Sequence, residues 1–132
     1  MNTWSWIRKI CYIRSGVVII KYNTISATGS YESTAQTANA SVSTISGVVT
    51  YTDATGTATL NTDIILEVSA DNGSTWQSAT LTAAGTFSTG VLQAVTNDVA
   101  VVAGTQLKYK MSFANQSLGV KETRINGISL SY

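Results

Sequence analysis

The sequence predicts an all-β protein, an antiparallel β-sandwich of jelly-roll type preceded by an N-terminal arm. Two features of composition favour this fold: Thr and Ser make up more than a quarter of the 132 residues, and no proline occurs. β-branched Thr favours extended backbone, and its hydroxyl suits an outward strand position. From about residue 45 onward, apolar residues alternate in short runs bounded by Gly, Asn, Asp and Ser, which is typical of strands with one buried face.

The chain is expected to have two parts, an arm with a polar, loose or extended connector over residues 1–30 and a sandwich over residues 31–132. The first 25 residues carry a charge of about +4 and no acidic residue, while the remainder carries about −3. We expect the arm to dock on a partner, and its candidate contact residues are Trp4, Trp6, Arg8 and Lys9. The alternative is that the arm adds one or two strands to the sheet.

Seven strands are predicted, joined by turns at Gly, Asn and Asp residues. The strands cover residues 44–52, 63–70, 75–82, 89–95, 98–103, 106–114 and 123–132, and the turns cover 53–56, 61–63, 71–74, 83–86, 96–98 and 103–104. No segment has the periodicity and caps of an amphipathic helix. This number and spacing of strands favours two packed layers.

In two of the predicted strands the sequence pattern indicates which residues lie on the same face. In "QLKYKMSFA" the period of two places Leu107, Tyr109, Met111 and Phe113 on one side and Lys108, Lys110 and Ser112 on the other. In "TRINGISLSY" Ile125 is one residue out of phase with Ile128, and Gly127 lies between them. A glycine at a phase slip predicts a β-bulge that turns both isoleucines to one core. The alternative is that Ile125 packs on the opposite face.

The stretch "SADNGSTW" matches the Asp-box that closes hairpins in the propeller blades of sialidases. Its motif residues are Ser69, Asp71, Asn72, Gly73, Thr75 and Trp76. Asn-Gly is the pair that a two-residue type I′ hairpin favours, because both central residues need positive φ. We expect the aspartate to accept backbone N–H groups and the tryptophan ring to cover the turn. The motif therefore predicts a structural hairpin.

Composition argues against an enzyme, a metal site or a cofactor. The chain contains no histidine and one cysteine, Cys11, so the usual general base and the usual transition-metal ligands are lacking. The acidic residues are scattered and mostly lie beside predicted turns. A net charge of +1 predicts neither nucleic-acid nor membrane binding. The apolar run "SGVVII" is shorter than the core of a secretory signal, roughly 7 to 15 residues, and a single cysteine suits a reducing compartment, so synthesis in a cytoplasm is expected.

Residues 31–132 resemble structural modules of tailed bacteriophages, especially marine ones. The resemblance lies in "YESTAQTANASVSTISGVVTYTDATGTATLNTDIILEVSADNGSTW", "AGTFSTGVLQAV", "AGTQLKYKMSFANQ" and "RINGISLSY". In that family such modules often end long fibre-like polypeptides. The resemblance implies a non-enzymatic virion protein, either a head decoration or head fibre or a tail-associated fibre module. It implies other virion proteins as partners and a homo-oligomer, with a trimer favoured.

The alternative function is a carbohydrate- or receptor-binding module used in host attachment. Sandwiches of this kind often bind host surface glycans through exposed aromatic rings, and Tyr31, Tyr51 and Trp76 are the candidates. The competing interpretation is that these rings belong to the core or to the hairpin.

Overall fold

The computed structural model describes residues 11–14, 17–20 and 27–132, which form nine strands and no helix. The strands are β1 (Cys11–Arg14), β2 (Val17–Ile20), β3 (Ala27–Glu32), β4 (Gln36–Thr55), β5 (Ile64–Ser69), β6 (Gln77–Ala79), β7 (Thr82–Ser88), β8 (Val91–Gln116) and β9 (Glu122–Ser131). All strand pairs are antiparallel. The predicted all-β class is confirmed.

Strands β3 to β9 form one continuous sheet because the long strand β8 belongs to two halves of it. The first part of β8 lies between β4 and β7, and β9 completes that half on the far side of β4. The last part of β8 lies between β5 and β3, and β6 pairs with the other edge of β5. In some β-sandwiches a single strand passes from one layer to the other and so connects the two layers.

Both halves of the sheet contribute to a single core. Ile45 and Val49 come from β4, Leu66 comes from β5, and Met111 comes from β8, all with 1% exposure or less. They belong to one cluster of buried residues. Burying each such side chain stabilises the fold by about 1.5–3 kcal/mol. The two halves therefore face each other across one interior, as the sandwich prediction requires.

The strand faces predicted for 106–114 are confirmed. Leu107 and Met111 are buried, and Tyr109 and Phe113 pack against the same core. Consecutive residues point to opposite faces of a strand, so Lys108 and Lys110 lie on the outer side.

The bulge predicted at Gly127 is also confirmed. Gly127 pairs with Thr50, while the next β4 residue, Tyr51, pairs with Ile125, so one β9 residue is extra at this point. Ile125 and Ile128 both pack against the core. The bulge therefore corrects the phase slip, as the glycine between the two apolar sets predicted.

Three of the predicted turns are wrong. Residues 83–86 belong to β7, and residues 96–98 and 103–104 lie inside β8, which was predicted as three segments. At the second site Ile45 pairs with Val99 and Gly47 with Thr96, so β8 has one extra residue there. Asp98 takes a φ of 50° at this site. The turn-forming residues produce a bulge, and the strand continues beyond it.

The predicted turn at 103–104, which also lies inside β8, contains Gly104. This residue pairs with Val42, and a Cβ on it would overlap the carbonyl group of Ala70. The glycine therefore permits a close approach of two backbones where the sequence suggested a turn.

The polar stretch 26–41 contains strand β3 and the beginning of β4. Strand β3 pairs with β8 from Ala27, four residues before the predicted boundary at 31. In β4, Ala38 is 4% exposed and Val42 is 7% exposed, while the three residues between them are exposed. Ala38 and Val42 therefore pack this polar segment against the core. Strands β1 and β2 pair with each other in a separate two-stranded sheet.

Candidate functional site

The Asp-box lies in the connection between β5 and β6. Asn72 and Gly73 have φ values of 62° and 80°, and Ser74 N–H donates to the Asp71 carbonyl at 3.3 Å. These are the positive φ angles expected of a type I′ turn. Regular strand pairing ends at Val68 and Gln77, and this register centres the connection on Asn72 and Gly73. The loop also pairs with β8, where Asn72 N–H donates to the Gln106 carbonyl at 3.0 Å.

The carboxylate of Asp71 organises this loop. Ser69 Oγ donates to Oδ1 at 2.7 Å, and Thr75 donates from its N–H at 2.9 Å and from its Oγ1 at 2.7 Å. The Ser69 hydroxyl in turn accepts from Gly73 N–H at 2.9 Å. These bonds, led by that from Ser69 and followed by those from Thr75, lower the pKa of Asp71 to about 2. The carboxylate is therefore charged at neutral pH, and the hydrogen bonds that it accepts stabilise the turn.

The indole ring of Trp76 packs against the turn at Gly73. Its Cζ2 atom lies 3.0 Å from the position that a Cβ would take on Gly73. The ammonium group of Lys110 is 4.9 Å from the ring centroid, and that of Lys108 is 5.8 Å away. Contacts of this kind contribute about 0.5–1 kcal/mol at exposed sites. The predicted packing of the ring on the turn is what the structure shows.

The two lysines also form ion pairs on the outer face of the sheet. Lys110 Nζ lies 2.7 Å from Glu67, and Lys108 Nζ lies 3.0 Å from Glu32. Glu67, Lys110 and Glu32 are direct neighbours across β5, β8 and β3. This outer face, with Trp76 at one side, is neutralised by pairing charges across adjacent strands.

The three aromatic candidates for glycan binding do not share one surface. Tyr51 is buried, with 5% exposure, and its burial raises the pKa of its hydroxyl. Tyr31 pairs with the buried Met111 and therefore belongs to the inner side of the sheet, although its position on the edge strand leaves it 43% exposed. Its ring meets that of Tyr109 edge-on at 6.0 Å. Trp76 is on the outer side beside the lysines.

A second ionic cluster surrounds Asp63, which is 1% exposed. Its carboxylate accepts from Lys121 Nζ at 2.7 Å, from Thr59 N–H at 2.8 Å and from Asn115 Nδ2 at 2.8 Å. These bonds, with that of Lys121 the largest, outweigh burial and lower the pKa of Asp63 to about 2. The sequence suggested a turn aspartate here but not this cluster, because Asn115 and Lys121 are 52 and 58 residues away along the chain.

The remaining predicted site residues, Trp4, Trp6, Arg8 and Lys9, lie outside the described residues. Within 11–14, 17–20 and 27–132, no three His, Cys, Asp or Glu side chains come together as metal ligands would. In the same part of the chain no helix is long and apolar enough to span a membrane. No family model matches the chain, and comparisons with curated proteins and with solved structures find no match.

Proposed function

We propose that this protein is a non-enzymatic structural component of a tailed-bacteriophage particle, a β-sandwich displayed on the virion and anchored through its N-terminal arm. The observation that supports this most directly is where the phage-like stretches lie. The stretch 31–76 runs from β3 through the Asp-box loop, 84–95 joins β7 to β8, 103–116 ends β8, and 124–132 is most of β9. The resemblance thus includes at least part of every strand of the seven-stranded sheet except β6.

The use of the acidic side chains supports a structural role. Six of the seven acidic residues make a hydrogen bond or an ion pair to the described chain: Glu32, Asp53, Asp63, Glu67, Asp71 and Glu122. Carboxylates that bind backbone N–H groups and neighbouring ammonium groups stabilise turns and strand pairs. These groups hold the sandwich together, which is the property that a displayed module needs.

The module would sit on the head as a decoration or head fibre, or on the tail as part of a fibre. Other virion proteins are its partners in this proposal, and copies of the chain associate with one another, as a trimer by the family resemblance. The basic segment at the start of the chain offers a contact to acidic surfaces, and its tryptophans offer apolar area.

Removal of residues 1–25 tests the anchoring. The tagged full chain and the truncated chain are each produced in cells infected by the phage that encodes the protein, and purified particles are assayed for the tag. We expect the full chain in the particles and the truncated chain only in the lysate. A β-rich circular dichroism spectrum and a cooperative melt of the truncated chain show that the sandwich remains folded. Full incorporation of the truncated chain contradicts the anchoring role, and absence of the full chain from particles contradicts the virion assignment.

A further inference from the structure

A groove with a volume of about 500 Å³ lies between the β6–β7 segment and residues 95–100 in the first half of β8. Gln77, Thr80 and Thr82 line one side, and Thr96, Asn97 and Val99 line the other. The volume is in the range of small-molecule sites, about 300–1,000 Å³. The groove is separate from the Asp-box loop and from the Asp63 cluster.

The hydrogen-bonding side chains of this groove are all neutral. They are hydroxyls and carboxamides, and each of these groups both donates and accepts hydrogen bonds. None of the lining residues is charged, and Asp98, which stands between Asn97 and Val99 in the bulge, is the nearest charged residue along the chain. Neither an anionic nor a cationic ligand finds an opposite charge on the lining. The set matches a ligand that presents many hydroxyl groups and no net charge.

The bulge in β8 places two of the lining residues. Thr96 pairs with Gly47, and Asn97 and Asp98 are the two β8 residues that lie opposite the single β4 residue Ser46. Thr96 is 4% exposed, and its Cγ2 atom is 3.5 Å from the position a Cβ would take on Gly47. Its side chain is therefore held in place by packing at the base of the groove. β-Bulges commonly redirect side chains next to binding sites.

The groove also has an aliphatic part. Val95, Val99 and Ala100 lie among the polar residues of the lining. Pyranose rings combine hydroxyl groups with apolar C–H faces, so a surface that alternates hydroxyl and carboxamide groups with small aliphatic side chains complements both features.

From this geometry we propose that the groove is a binding site for a neutral oligosaccharide. The Thr96 hydroxyl and the Asn97 carboxamide contact the sugar hydroxyls, and Val99 contacts a C–H face. The proposal does not depend on the protein's place in a virion, since it follows from the lining of the sandwich alone. It assigns glycan binding to a different surface from Tyr31, Tyr51 and Trp76.

Titration of the ¹⁵N-labelled full chain with defined sugars tests this site. The neutral probes are maltohexaose, xylohexaose, mannohexaose and chitohexaose, and the acidic probes are hexagalacturonate and sialyllactose, each raised to millimolar concentration. We expect at least one neutral probe to shift the amide signals of 77–82 and 95–100, with weaker or no effect of the acidic probes. A panel in which no neutral probe shifts these signals contradicts the proposal, as does a preference for the acidic probes.

Two variants locate the contact. Thr96→Val replaces the hydroxyl by a methyl of similar volume, and we expect it to weaken binding by about fivefold to tenfold. Asn97→Ala removes an exposed carboxamide. It is the alternative variant if the chain does not fold with valine at the buried position of Thr96. Thr86→Val, on the exposed β7 and outside the groove lining, is the matched control and should bind as the original chain does. Unchanged binding by both groove variants contradicts the site even where a neutral sugar binds.

Discussion

The Asp-box loop and the Asp63 cluster use the same chemistry over different distances along the chain. In each, one carboxylate accepts hydrogen bonds from a backbone N–H and from side chains, and its pKa is lowered to about 2. The partners of Asp71 are Ser69 and Thr75, within four residues. The side-chain partners of Asp63 are Asn115 and Lys121, more than 50 residues away. The first carboxylate shapes a turn, and the second joins distant parts of the sheet.

This difference also decides what each carboxylate does for stability. Local bonds are partly available to an unfolded chain, since residues two to four apart remain neighbours without the fold. Bonds across 52 and 58 residues exist only when β5, β8 and β9 are assembled. We therefore expect the Asp63 cluster to contribute more to the free energy of unfolding than the Asp-box does.

Asp63→Ala should give the largest loss. It removes a buried acceptor and leaves the Thr59 N–H, the Asn115 amide and the Lys121 ammonium without their partner. Breaking a buried ionic cluster in this way lowers the free energy of unfolding by about 3 kcal/mol. Urea unfolding followed by circular dichroism measures it. Asp98→Asn, at an exposed position in the bulge whose φ of 50° both aspartate and asparagine tolerate, is the control, and equal losses from the two changes would show that the cluster does not stabilise the sheet.

Asp71→Ala should give a smaller loss, a decrease of roughly 3–5 °C in the melting temperature. The change frees the Thr75 N–H, which can reach water because Thr75 is exposed, while the buried Ser69 hydroxyl still accepts from Gly73 N–H. Trp76 should become more mobile, because the turn under its ring loses its central acceptor. Differential scanning calorimetry and tryptophan fluorescence measure the two effects. A larger loss than that of Asp63→Ala would reverse the ranking of the two regions.

The same contrast explains which parts of the structure sequence reasoning predicts. The Asp-box is readable because its donors and acceptor lie within eight residues, and strand faces are readable because a period of two is a local pattern. The Asp63 cluster has no local signal beyond a turn aspartate. The neutral groove has no sequence signal either: Thr82 and Val95 are paired neighbours in the β7–β8 hairpin, but the bulge that contains Asn97 was predicted as a turn.

The errors in the strand assignment have a physical cause. Asn97-Asp98 and Ala103-Gly104 are typical turn pairs, and Asp98 does take a positive φ. Whether such residues end a strand or form a β-bulge within it depends on the pairing with the neighbouring strands. Here β4 pairs on both sides of the interruption, at Val99 and at Thr96, and keeps β8 continuous. Pairing between distant segments overrides a local turn preference.

The pH dependence of stability should show the smallest difference between the regions. An unfolded aspartate has a pKa near 3.9, so between pH of about 5 and about 2 the unfolded chain binds more protons than the folded one. The stabilisation from both carboxylates is therefore complete above pH of about 5 and is lost as the pH falls through the folded values.

Urea unfolding of Asp63→Asn and Asp71→Asn at intervals across that pH window separates the two contributions. Each asparagine removes one titrating group, so each variant should lose less of its free energy of unfolding on acidification than the original chain does. We expect the two profiles to be flattened to a similar extent, because the folded pKa of each carboxylate is about 2. A profile parallel to that of the original chain would mean that the carboxylate in question keeps its ordinary pKa in the folded protein.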